Sequence, residues 1–64
     1  MKFSTQDRID IVASELKEAI AGFLNCDVTE AEHQEAGERL DRAHALKNAQ
    51  PVEIRAAIQN QLTQ

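Results

Sequence analysis

The sequence has no Trp or Tyr, one Cys, one Pro and two Gly among its 64 residues. Two Phe and a net charge of −4 leave it without the stacking surfaces and the positive field that hold nucleic acids. It has no apolar run of the length that a signal peptide or a membrane span requires. The lone Cys26 excludes an internal disulfide and favours a reducing compartment. We therefore expect a cytoplasmic protein that does not bind nucleic acid directly.

The sequence also lacks the residue patterns of common catalytic sites. No serine stands in a nucleophile-elbow context, no glycine-rich loop could hold a phosphate, and no basic cluster could hold an anionic substrate. Cys26 is followed by Asp27, whose carboxylate opposes formation of a thiolate, whereas the N-terminus of the second helix would favour it. The interpretation that we favour is a small, half-buried apolar residue at a helix junction. We expect no enzymatic activity and no cofactor.

Large apolar side chains are also scarce. Alanine makes up ten of the 27 apolar residues, which leaves five Ile, five Leu, three Val and two Phe for the core. A chain of this length buries only about 60% of the surface that its unfolded form exposes, and it commonly needs a disulfide, a metal or a partner subunit. With no disulfide available, the composition favours self-association, and we expect a homodimer.

The first predicted helix, about 4–24, carries most of the apolar surface. Ser4 and Asp7 have the spacing of a capping box at its start. Apolar residues then recur at steps of three and four on one face, with Ala19 among them: Ile9, Val12, Leu16, Ile20 and Phe23. Ile11 lies off this stripe. It is either a tolerated surface residue, the interpretation we favour, or part of a second contact.

Two further helices are predicted after a turn. The second, about 29–48, has two overlapping capping boxes available, Asp27 with Glu30 and Thr29 with Glu32, and few large apolar residues besides Leu40 and Leu46. The third, about 51–62, has Pro51 at its first position and a short stripe formed by Ile54, Ala57, Ile58 and Leu62. These elements predict an all-α single domain over residues 1–64, a three-helix antiparallel bundle that associates as a homodimer.

The charges of the second helix are separated along its length. Five acids, Asp27, Glu30, Glu32, Glu35 and Glu38, precede the bases Arg39, Arg42 and Lys47. The favoured interpretation is a solvated face that complements the helix dipole, with Glu35–Arg39 and Glu38–Arg42 as neighbouring ion pairs. One alternative is antiparallel pairing of two copies of this helix about Gly37 and Leu40. Another is a docking surface on which carboxylates stand where phosphates would, as in an acidic inhibitor of a host DNA- or RNA-binding protein from a phage or mobile element.

A metal site is a further alternative. Glu30 and His33, like Asp41 and His44, are three positions apart, which is a spacing used in helical metal proteins. Such pairs arise readily in an acidic chain, and the acids of the first helix do not share its apolar face. We therefore expect no metal ligand.

These observations predict a non-catalytic interaction module that regulates or inhibits a larger protein by binding it. In size and composition the chain is similar to small accessory proteins of bacteria and their phages. The candidate contact residues for a partner or for self-association are Ile9, Val12, Leu16, Ile20, Phe23, Ile11, Leu40, Glu30, Glu32, Glu35 and Glu38.

Overall fold

The computed structural model describes residues 3–63, and that part of the chain contains three helices and no strand. The helices are α1 (Thr5–Leu24), α2 (Glu30–Asn48) and α3 (Val52–Leu62). An all-α architecture is confirmed. Positions 4, 29 and 51, where we expected the helices to begin, are the N-cap residues. None of the three helices combines the length and the apolar character that crossing a bilayer requires.

Local side-chain hydrogen bonds explain where α1 and α2 begin. The amide of Asp7 donates to Ser4 Oγ at 3.0 Å, and the amide of Ser4 donates to Asp7 Oδ2 at 3.3 Å. Thr29 and Glu32 form the same reciprocal pair at 3.2 and 3.1 Å. The competing box between Asp27 and Glu30 does not form. The Asp27 amide instead donates to Asn25 Oδ1 at 3.0 Å, which makes this segment a turn.

The core forms where α1 is covered by the other two helices. The buried residues on α1 are Ile9, Val12, Ala13, Leu16 and Ala19, and they are joined by Ala43 of α2 and Ile58 of α3. Leu40, Ile54, Ala57 and Leu62 pack against this cluster from α2 and α3 and are half-buried. The apolar stripe predicted for α1 is thus largely enclosed by its own chain.

Specific contacts join α1 to α2. Near the end of α1, the ring of Phe23 stacks on His33 of α2 with a centroid separation of 4.6 Å. Further back along α1, Arg39 of α2 donates to Glu15 at 3.0 Å and to Glu18 at 3.2 Å. The contact between α2 and α3 is smaller than the contacts that either of them makes with α1.

Candidate interaction surface

The exposed apolar side chains reveal a surface that is separate from the core. Phe3, Ile11 and Leu46 are 63%, 49% and 44% exposed, and all three line one groove of about 680 Å³. The buried Val12 and the polar side chains of Arg8 and Gln50 also line it. We call this site the Ile11 groove. Apolar side chains that are exposed together on a soluble protein mark contact surfaces more often than the same residues scattered singly.

The position of Phe3 follows from how α1 begins. Phe3 directly precedes the N-cap Ser4, where an apolar residue often packs against an apolar residue four positions into the helix. In this chain that position is Arg8, so the usual contact has no apolar partner. Phe3 and Arg8 instead lie side by side along the groove, and the Phe3 ring remains exposed.

Helix geometry explains Ile11 and Leu46. Ile11 precedes the buried Val12 and therefore points about 100° away from it, out of the core and into the groove. Leu46 follows the half-buried Leu40 by six positions, or about 240° around α2, so the two leucines face different sides of the helix. Ile11 is exposed at the surface, as expected from its position off the stripe, and it lines the same groove as Phe3 and Leu46.

Phe3 and Leu46 were missed by the sequence reasoning as contact residues. The six-residue spacing from Leu40 to Leu46 could have identified Leu46 as a residue off the core-facing side. The missing apolar partner of Phe3 could have indicated that its ring stays exposed.

Several predicted contact residues lie in the core instead. Ile9, Val12 and Leu16 are buried by α2 and α3 of the same chain, so they do not form a free apolar face. Ile20 remains at the surface but does not line the Ile11 groove. Phe23 is half-buried and stacks on His33. Most of the α1 stripe is therefore covered by its own chain.

The side of α2 around Gly37 and Leu40, where we considered pairing with a second copy, packs against its own chain. Leu40 packs against the core of its own chain. A Cβ atom built at Gly37 would lie 3.4 Å from Cε1 of Phe23. The side of α2 that carries Gly37 and Leu40 therefore faces α1, where both residues are half-buried.

The acidic segment of α2 does not form a single charged face. Glu30, Glu32, Glu35 and Glu38 are all exposed, but at 100° per residue they spread over about 200° of the helix circumference. Glu32 is engaged at the N-terminus of α2. The backbone amide of Thr29 donates to its carboxylate and, with the Thr29 side chain, lowers the pKa of Glu32 below its usual range.

The ion pairs of α2 differ from those expected. Arg39 pairs with Glu15 and Glu18 of α1 rather than with Glu35 of its own helix. The hydrogen bond that Arg39 donates to Glu15 is the main reason why the pKa of the Arg39 guanidinium is raised. The predicted pair between Glu38 and Arg42 does not form either, since between residues 3 and 63 both ion pairs are made by Arg39. Part of the basic half of α2 is thus used to join α2 to α1.

The residues considered for metal or thiol chemistry are dispersed. Within residues 3–63, no three His, Cys, Asp or Glu side chains are grouped closely enough to hold a metal ion. His33 packs against Phe23, and His44 lies exposed on α2. Cys26 is exposed rather than half-buried, because it lies in the turn between α1 and α2, and its Sγ lies 3.7 Å from the carbonyl oxygen of Leu24.

Comparison with protein-family models, with curated proteins and with solved structures finds no match to this chain. Its function must therefore be argued from its own residues. The Ile11 groove is a feature that the core does not explain, since its three exposed apolar side chains lie outside the cluster that holds the helices together.

Proposed function

We propose that this protein is a non-catalytic interaction module that regulates or inhibits a larger protein by binding it, and that it also associates with a second copy of itself. The observation that carries this proposal is the convergence of Phe3, Ile11 and Leu46 on one groove. These side chains contribute little to the core, yet they lie next to one another at the surface. Burial against another protein would remove their apolar surface from water, which is the main driving force of association.

An antiparallel packing of α1 and α2 is part of the proposal, and the order of their contacts supports it. Phe23, near the end of α1, meets His33, near the start of α2. Ile11, in the first half of α1, shares a groove with Leu46, near the end of α2. This packing brings the start of α1 beside the end of α2 and so assembles the groove from residues that are distant in sequence.

The size of the groove predicts weak association. Three large apolar side chains that are about half exposed present on the order of 300 Å² of surface per copy. Stable complexes bury roughly 800 Å² per partner. Self-association through this groove is therefore expected in the micromolar to millimolar range. A larger partner that also contacts the rim would bind more tightly.

The groove, rather than the acidic segment, is the proposed contact. The glutamates of α2 point in different directions, and Glu32 is already engaged in a helix cap. A nucleic-acid mimic would need its carboxylates arranged along one face. No specific feature of these residues favours that alternative over the groove.

Ile11→Asp tests the proposal, because it places a charge in the groove without altering the core. Val52→Asp is the matched control, since Val52 is also exposed but does not line the groove. Sedimentation equilibrium from about 10 µM to 1 mM spans the expected range of affinities. We expect the average mass to rise with concentration for the wild type and for Val52→Asp, and to remain monomeric for Ile11→Asp.

Affinity capture from the native host tests the larger partner. A partner that binds the wild type and Val52→Asp, but not Ile11→Asp, would support the proposal. Circular dichroism should show the same helical content for all three proteins. Equal capture by all three, or no capture by any, would contradict binding of a larger partner through the groove.

A further inference from the structure

We infer that the Ile11 groove receives α1 of a second copy, running antiparallel across a two-fold axis at Ile11. This inference rests on the proposed function and adds the identity and the orientation of the occupant. Three features carry it: the order of charges along α1, the exposure of Ile11 in the groove together with Phe3 and Leu46, and the location of the acidic segment.

The first feature is the order of charges along α1. When a second copy of α1 runs antiparallel to the first, opposite charges face each other. Arg8, Ile11 and Glu15 follow at steps of three and four and therefore lie on one side of α1. In an antiparallel pair centred on Ile11, Arg8 of each copy would approach Glu15 of the other. Each dimer would gain this pair twice.

The two charged side chains are accessible for such a pair. Within residues 3–63, Arg8 makes no ion pair, because both ion pairs of that region involve Arg39. Glu15 bonds to Arg39 through Oε1, and its side chain is still 42% exposed. Opposite charges placed at both ends of an apolar contact define its orientation and register.

The second feature is the arrangement of the apolar residues around Ile11. A two-fold axis brings a residue against its own copy, and an isoleucine can pack against another isoleucine without leaving a polar group unpaired. Phe3 and Leu46 also line the groove and would flank this central contact from both copies. Such an interface closes on itself as a dimer, whereas a head-to-tail contact would leave an open groove at each end of a chain of subunits.

The third feature is the distance between the groove and the acidic segment. Glu38, the nearest member of that segment in sequence, precedes Leu46 by eight positions, or about 12 Å along α2. Glu30 lies about 24 Å away by the same measure. Charges separated by more than about 8 Å are largely screened at physiological salt, so the acidic segment of α2 does not prevent pairing at Ile11.

Disulfide cross-linking tests the position of the axis. In a Cys26→Ser background, which leaves no other thiol, Ile11→Cys would place two cysteines at the axis with Cα atoms within the roughly 4.4–6.8 Å that a disulfide spans. Lys17→Cys is the control, because it is exposed on the same helix about 120° away. We expect Ile11→Cys to form covalent dimers at least tenfold faster. Equal rates would overturn the position of the axis.

Mixing two charge variants tests the orientation. Arg8→Glu and Glu15→Lys each create repulsion in their own homodimer, and we expect each to dimerise at least tenfold more weakly than the wild type. In the heterodimer of an equimolar mixture, the two substituted positions would face each other with opposite charges. The unchanged Arg8 of one copy would likewise face the unchanged Glu15 of the other. Affinity should then return to within about threefold of the wild type.

Mixing also distinguishes the loss of a contact between copies from a loss of stability within one chain. Glu15→Lys removes the bond to Arg39, and mixing does not restore that bond. Recovery would therefore report contacts between copies. A mixture no stronger than its components would overturn the antiparallel pairing of Arg8 with Glu15.

The outcomes distinguish this inference from the proposed function. If the wild type dimerises, but Ile11→Cys does not cross-link faster than the control and the mixed charge variants do not recover affinity, the protein self-associates in another arrangement. That result would refute the antiparallel arrangement at Ile11 and leave the proposed self-association intact. A wild type that remains monomeric up to about 1 mM refutes a second copy as the occupant. Capture that depends on Ile11 would then assign the groove to another protein.

Discussion

Replacing Leu16 with Ala tests whether the apolar stripe of α1 is a core or an association surface. Leu16 is completely enclosed, with 0% of its surface exposed, and it lies between α2 and α3 of the same chain. Truncation of a fully buried leucine costs about 2–5 kcal/mol, because transfer free energy is lost and a cavity remains. A domain of 64 residues is stable by roughly 3–10 kcal/mol, so Leu16→Ala should remove a large part of the free energy of unfolding.

Ile11→Ala is the matched comparison, because Ile11 lies on the same helix but is half exposed. We expect it to change the free energy of unfolding by less than about 1 kcal/mol at a protein concentration where the chain is monomeric. Urea denaturation followed by circular dichroism at 222 nm, at two protein concentrations, measures both variants. Ile58→Val, at another fully buried site, should cost about 0.5–1.5 kcal/mol and keeps the test informative if Leu16→Ala does not fold.

The result that would refute this reasoning is a small effect at Leu16. A loss below about 1 kcal/mol would mean that the site is not enclosed by its own chain. A loss that became smaller on dilution would mean that a second subunit covers it. Either result would indicate that the α1 stripe is an association surface and not a core.

Three further changes test local features of α2. Gly37→Ala should raise the free energy of unfolding by about 0.5–1 kcal/mol in urea denaturation, because alanine favours a helix interior. The added Cβ would meet Phe23 at an ordinary contact distance of 3.4 Å. A loss of stability would show that the Phe23 ring cannot accommodate the added methyl group. Thr29→Ala should cost about 1 kcal/mol, because the amide of Glu32 loses its capping acceptor, and an unchanged melting temperature would contradict that role. Glu32 has a lowered pKa in the folded state, so its contribution to stability is present above its ordinary value of 4.5 and is lost as the pH falls through the lowered value. Glu32→Gln should therefore flatten the fall in melting temperature between about pH 5 and pH 3, whereas an unchanged slope would assign the acid sensitivity to other carboxylates.

The helices could be predicted from the sequence because their signals are local. Ser4 with Asp7 and Thr29 with Glu32 each form a cap within a few residues, and this chemistry depends little on the rest of the fold. The competing box at Asp27 could not be excluded in advance. Only the turn geometry, in which Asn25 accepts from the Asp27 amide, decides between the two boxes.

The candidate site was much less predictable. Periodicity identified the stripe of Ile9, Val12 and Leu16 as apolar, but it could not say whether the covering surface belongs to the same chain or to another. Ile11 was noticed as an exception to the pattern. Its significance depends on Phe3 and Leu46, which are remote in sequence and meet it only in the folded chain.

The ion pairs of α2 were likewise only partly predictable from the sequence. Sequence spacing favoured Glu35 as the partner of Arg39, because residues four apart on a helix are neighbours. The folded chain offers Arg39 two carboxylates from α1, Glu15 and Glu18, and the guanidinium can bond to both at once. The choice between partners of similar chemistry was decided by packing.

By itself, the sequence determined that this chain forms helices, where α1 begins, and which side of α1 is apolar. These properties follow from caps, periodicity and backbone preference, which act over a few residues. The tertiary structure alone decided that α2 and α3 enclose that apolar side and that Ile11 shares a groove with Phe3 and Leu46. The physical reason is that burial depends on which surfaces meet, and that depends on how whole helices pack against one another.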